Sequence, residues 1–195
     1  FIRAGSNAST LDLGLFGNTG SANGIVGFDS LSVTDGSNWN LTGSISAGGL
    51  SNADVTDGVA LFDGSSMVLA SGGLFTIGTS GTLSARGASL IGGGLSNAGA
   101  INMVDGAADD SLEVTGDYTG AGGNLAIDVD FANDVADTLV VGGNVEGDTT
   151  EIEINAISPT SATGNDILVV DVTGTTDADD FALAAGDQIA IGVLT

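Results

Sequence analysis

Carboxylates are the only side chains in this sequence plentiful enough to do chemistry. Of 195 residues, 25 are Asp or Glu and 2 are Lys or Arg, with no His and no Cys. Without His or Cys, neither a Ser-His-Asp nor a Cys-His constellation can be assembled, and the usual zinc ligands are missing. Both basic residues are arginines, so no lysine serves a Ser-Lys dyad, a Schiff base or a P-loop. Paired carboxylates can still act as acid and base on a glycosidic bond. Three groups qualify by spacing: Asp109-Asp110, Asp128 with Asp130, and Asp177 with Asp179 and Asp180. Asp128 and Asp130 should share one face of a strand. Their neighbours offer no aromatic platform for a sugar, because the seven Phe, one Trp and one Tyr fall mostly at apolar positions. For calcium, Asp128-Val-Asp130-Phe-Ala-Asn133 lacks the glycine at which an EF-hand loop turns, and the Gly-Gly-x-Gly-x-Asp nonapeptide is absent. The residues nominate no catalytic, cofactor-binding or metal site, and the chain is expected not to be an enzyme.

The elements that must carry these carboxylates are short and repetitive. Gly-Gly-Leu-Ser-Asn-Ala occurs at 48–53 and again at 93–98, with Gly-Gly-Leu at 72–74 between them. Recurrence every 21–24 residues, among short apolar runs broken by Gly, Asn, Ser and Asp, is the signature of a stacked solenoid. Each period is one coil, whose apolar side chains are covered only when the next coil lies on it. The alternation in Ile25–Val33, Trp39–Thr42, Val59–Phe62, Leu74–Ile77 and Ile101–Val104 predicts strands of no more than about five residues separated by turns. Asn52 and Asn97 are expected at equivalent corners two coils apart, where stacked amides can hydrogen-bond along the axis. The class is all-β, since β-branched residues, Leu, Ser and Gly dominate and helix formers are scarce.

Charge divides the chain. Residues 1–104 hold 6 Asp and both arginines, and residues 105–195 hold 15 Asp and 4 Glu, out of a net −23. Such a chain repels phosphate backbones and anionic lipid, so neither nucleic acid nor direct membrane insertion is expected. The acidic residues read most simply as a solvated face that keeps a β-rich surface soluble. The chain opens at Phe1 without a Met and is expected to be a piece of something longer.

The boundary near Asp105 separates two expected parts: β-helix coils over 1–104 and a capping region over 105–195. After it the strands are expected to lengthen and become two-faced. Leu125, Ile127, Val129 and Phe131 alternate with Ala126, Asp128 and Asp130; Ile152 and Ile154 alternate with Glu151 and Glu153; Phe181 and Leu183 alternate with alanines. Ile167–Val170, apolar on both faces, is expected to be a central strand.

These residues also carry a resemblance. Gly27-Phe28-Asp29-Ser-Leu31-Ser-Val33 with Trp39-Asn-Leu41-Thr-Gly43, and Leu95-Ser-Asn97-Ala-Gly99-Ala-Ile101, resemble recurring coils of autotransporter passengers, surface proteins of Gram-negative bacteria. Leu112-Glu-Val114-Thr-Gly116-Asp-Tyr118-Thr-Gly120, Leu125-Ala-Ile127, Asp137-Thr-Leu139-Val-Val141-Gly-Gly143 and Ile167–Val172 are similar to the family's C-terminal passenger region. The resemblance covers roughly residues 25–190. It implies a right-handed parallel β-helix whose C-terminal cap acts as an autochaperone during secretion through the outer membrane. It also implies a cell-surface or secreted location, with the chain's own upstream coils and a downstream outer-membrane β-barrel as partners. The alternatives are an adhesin or self-associating module that binds host or bacterial surfaces, and a polysaccharide-active β-helix enzyme. The last strand, Ile189-Ala-Ile191-Gly-Val-Leu194, lacks the aromatics common there in the family, so the capping strand is expected to be cut short.

Overall fold

A computed structural model of the protein describes residues 2–3, 10–14, 19–23, 25–46, 50–157 and 166–185. The described residues contain strands and turns and no helix. The strands stack in parallel as a β-solenoid, coil upon coil, and present three faces. One face is built from Thr10–Leu13, Ser30–Val33, the start of Asn52–Asp63, the start of Leu74–Arg86, Gly94–Asn97, Tyr118–Gly120 and Val145–Gly147. A second runs from Thr19–Asn23 through Ser37–Thr42 and the far halves of the two long strands. It continues through Ala100–Asn102, Asn124–Asp130 and Thr150–Ala156 to Phe181–Leu183. The third is a six-stranded sheet from Ser44–Ser46 to Val170–Val172.

Alternation puts every second residue inside, and stacking turns those residues into columns. Leu31, Ala53, Phe75, Leu95, Tyr118 and Val145 form one such column, in register from coil to coil. Met67, Ile91, Val114 and Val141 form another. All are buried, and each large aliphatic taken from water contributes about 1.5–3 kcal/mol. Large and small residues alternate where space demands it. Trp39 lies in register between Gly20 and Ala60, and a Cβ on Gly20 would sit 2.5 Å from the indole.

Several sequence expectations change here. Strands are not limited to about five residues, and the longest lie before Asp105: Asn52–Asp63 has 12 residues and Leu74–Arg86 has 13. Each bends across a corner without losing its ladder, with a register irregularity between Ile77 and Ser80. The two hexapeptide repeats do not stack on each other. Gly94 is in register with Leu74 and so with Asn52, while Asn97 is in register with Ile77 and Val55. Register follows the inward column Ala53–Phe75–Leu95 rather than residue identity, because covering apolar surface outweighs matching polar side chains. Ile167–Val170 is no central strand: only Val170–Val172 pairs, at the edge of its sheet, and Leu168 is 59% exposed. The ladder crosses Asp105 without a break, since Ala88–Gly92 pairs Ser111–Val114 and Ala100–Asn102 pairs Asn124–Asp130. Leu15, Gly48 and the strand at 189–194 lie outside the described residues.

Candidate functional site

Two polar assemblies brace the C-terminal coils, and both run along the solenoid axis. The first is a clasp of carboxylates at the corner between the second and third faces. Asp110 and Asp137 occupy the same place in successive coils, each two residues ahead of an inward aliphatic pair, Leu112 with Val114 and Leu139 with Val141. One Asp137 oxygen accepts the Asp110 N–H (3.0 Å) and the other accepts the Asp128 N–H (2.8 Å). Asp110 in turn accepts the Gly87 N–H of the preceding coil (2.5 Å). Asp128 accepts the Asp105 and Gly106 N–H groups, both at 2.7 Å, and the side-chain amide of Asn155 in the following coil. A short antiparallel hairpin, Val135–Ala136 folding back on Val129 and Asp130, delivers Asp137 to this position.

Arg86 is the cation beside the clasp. Its guanidinium donates to the Ala85, Asn102 and Val104 carbonyls, and lies 3.6 Å from Asp105 and 3.9 Å from Asp110. Burial pushes Asp137 from the usual 3.8 up to about 6; its two N–H donors oppose the shift, and the Asp110 and Asp128 charges reinforce it. Burial also raises Asp110, against the Gly87 N–H, with the Asp105 charge adding to the rise and Arg86 opposing it.

The second assembly is inside the core. Tyr118 is fully buried; its hydroxyl accepts from the Asn97 amide (3.1 Å) and shares a hydrogen bond with Thr150 Oγ1 (2.9 Å). Asn97 donates also to the Asn124 carbonyl (3.1 Å). Burial pushes the phenol's pKa up, so it stays a neutral hydrogen-bonding group. Its ring packs on Phe181 with centroids 5.7 Å apart, tying the last described coil to the core.

The structure thus sorts the carboxylates nominated by spacing. Asp110 and Asp128 are linked through Asp137, to which each donates its backbone N–H; Asp109 is exposed. Asp130 does not join Asp128 but caps its own turn, accepting from the Ala132 N–H (3.0 Å) and the Asn133 amide (2.7 Å). Asp180 caps a separate turn through the Asp177 N–H (2.6 Å) and the Thr176 hydroxyl (2.8 Å). Among the described residues no group of three or more His, Cys, Asp or Glu could hold a metal ion. A carboxylate filled with backbone N–H donors is a structural brace, poorly placed to trade protons with a substrate. Asp137, Tyr118 and Arg86 were not singled out from sequence as a site. A usable signal existed for Asp137: a charged residue in phase with Leu139 and Val141 points inward.

Asn52 is exposed and Asn97 is buried, so they form no axial ladder with each other. Such a ladder does exist, at another corner. Asp117 Oδ1 accepts the Asn144 N–H (2.8 Å), and Asn144 Oδ1 accepts the Thr175 N–H and hydroxyl (both 3.0 Å).

Residues 94–192, which hold most of the clasp, the tyrosine triad and this ladder, match the family described as Autochaperone Domain Type 1. The chain belongs to the autochaperone-bearing passengers of autotransporters. It is 32% identical over 187 residues to the probable autotransporter YfaL of Escherichia coli (strain K12), covering 89% of this chain and 15% of that protein. It therefore spans a small fraction of the relative's length. No solved structure matches it. The autochaperone domain is a structural rather than a catalytic family, and its match begins before Asp105, within the coils of the solenoid.

Proposed function

We propose that residues 105–195 are the cap of this passenger and the nucleus on which coils 1–104 fold during export. A coil of a solenoid gains stability only from its neighbours, so a chain emerging into a space without an energy supply needs one segment that closes early. The observation that supports this reading is that three multi-residue networks brace the C-terminal coils along the axis. The clasp, the Asn97–Tyr118–Thr150 triad and the Asp117–Asn144–Thr175 ladder join successive coils by side-chain bonds. A passenger of this kind is displayed at the outer-membrane surface or released from it. Its immediate partners are its own upstream coils and a β-barrel to which the passenger is linked. Because backbone N–H groups hold at least one oxygen of each clasp carboxylate, no hydrolytic turnover on peptides, esters or polysaccharides is expected.

Two inward substitutions test the order of folding. Leu139 and Leu50 are both fully buried, and an aspartate at either would cost roughly 4 kcal/mol. Leu139→Asp is expected to expose upstream coils and cap alike to limited proteolysis, whereas Leu50→Asp leaves a protected C-terminal fragment. A protected fragment of the upstream coils in the Leu139 variant overturns the proposal.

A further inference from the structure

We propose that Asp110 and Asp137, braced by Asp128, form an acid-responsive clasp, which takes up a proton as the C-terminal coils close and holds them more firmly in mildly acidic than in neutral surroundings. The clasp acts in the same way whichever part of the chain folds first. All three carboxylates are 5% exposed or less, and they meet at one corner. Arg86 is the nearby cation; among the described residues its ion pairs go to Asp105 and Asp110, and none is formed by Asp128 or Asp137. One oxygen, Asp110 Oδ2, is buried without a hydrogen-bond donor. An ionised carboxylate so placed has lost water, and that oxygen has only the Arg86 guanidinium, 3.9 Å away, in its place, so burial disfavours the charged form.

The neighbouring carboxylates point the same way, and Arg86 opposes them at Asp110. Asp137 faces Asp110 from the turn ahead of Ser111–Val114 and Asp128 from Asn124–Asp130. Asp110 faces Arg86 at the end of Leu74–Arg86, with Asp105 and Asp109 from the intervening turn. On the far side of Asp128 stands the neutral amide of Asn155. A single proton on the Asp110–Asp137 pair removes one buried charge and one like-charge repulsion.

The direction of the effect follows from linkage. In the unfolded chain an aspartate loses its proton near 3.9, while in the fold Asp137 keeps it to about 6. Between those values the folded chain binds more protons than the unfolded one, so stability falls as pH rises. The contribution is complete below the unfolded value and is lost as pH passes through about 6, the reverse of an ordinary salt-bridged aspartate.

Proton uptake on refolding of the whole chain at pH 5, in weakly buffered solution, reads this directly. The wild type is expected to take up roughly one proton more than Asp137→Asn, and the difference should vanish at pH 8. Equal uptake by the two chains at pH 5 overturns the proposal. If Asp137→Asn does not fold, the carboxyl carbon of Asp137 is followed by NMR in the wild type. A midpoint near 6 supports the clasp, and a midpoint below 5 sinks it.

Discussion

Tyr118 carries more of the C-terminal core than its sequence context suggests. Its ring fills the space that Leu95 and Val145 occupy in the coils on either side, and its hydroxyl meets two buried polar side chains, Asn97 and Thr150. Removing only the hydroxyl leaves the packing intact, strands the Thr150 hydroxyl and leaves the Asn97 amide its bond to the Asn124 carbonyl. Tyr118→Phe is therefore expected to lower stability by about 1–3 kcal/mol, read as a shift in the urea midpoint without a change of slope. Pairing it with Thr150→Val, which removes a hydroxyl the tyrosine no longer serves, should recover part of the loss in a double-mutant cycle. Strict additivity would mean that the two hydroxyls do not support each other. The triad could not be read from sequence, because Asn97 looks like a turn residue and Tyr118 like one more apolar position. Only the register that brings coils together gives the two polar groups to each other.

At the scale of elements, corners matter as much as strands. Gly93, Gly116, Gly143 and Gly174 follow one another at a single corner, each joined to the next by an N–H to carbonyl bond of 2.9–3.1 Å. A Cβ on Gly116 would sit 2.7 Å from the Gly93 oxygen, and one on Gly143 would sit 2.6 Å from the Gly116 carbonyl carbon. The clash is with backbone, which cannot move aside without breaking the ladder. Gly116→Ala is thus expected to cost more than about 2 kcal/mol and to loosen the coils on both sides, seen as lost amide protection. Gly106, with open space around its missing side chain, faces only the strain of its positive φ. Alanine there should cost about 1 kcal/mol. Equal effects at the two sites would show that close approach does not set the corner. The Gly-Gly pairs that begin at Gly72 and Gly93 were visible in the sequence and do mark corners. Their spacing misled about stacking, because coils of unequal length slide identical motifs out of phase.

For the molecule as a whole, a net charge of −23 raises the question of how coils stack without repelling. The registers give an answer. Asp12, Ser32, Asp54 and Thr76 stand one above another, as do Glu113, Val140 and Asp171, and Asn124, Glu151 and Ala182. In the strand pairings of the described residues no carboxylate directly opposes another; Arg86 opposes Asp63, and the other charged residues oppose neutral ones. Like charges directly opposite would be destabilising. Ser32→Asp places a third carboxylate between Asp12 and Asp54 and removes the hydroxyl that Ser32 donates to Asp54 at 2.5 Å. It is expected to cost about 1 kcal/mol at low salt and much less near 0.5 M, where the Debye length falls below ~5 Å. A loss independent of salt would point to the missing hydrogen bond alone.

The sequence by itself determined the class and the limits of function. Period-2 alternation fixes which side chains face inward in Leu125–Val129 and Ile152–Ile154, whatever they later touch. The absence of His, Cys and Lys removes most catalytic chemistry without any knowledge of the fold. The tertiary structure decided which residues meet. Asp110 with Asp137, Asn97 with Tyr118, and Asp117 with Asn144 are separated by a full coil. Their pairing depends on how many residues each coil spends on its corners. That number is set by packing the inward columns, a sum over many contacts that no local pattern contains.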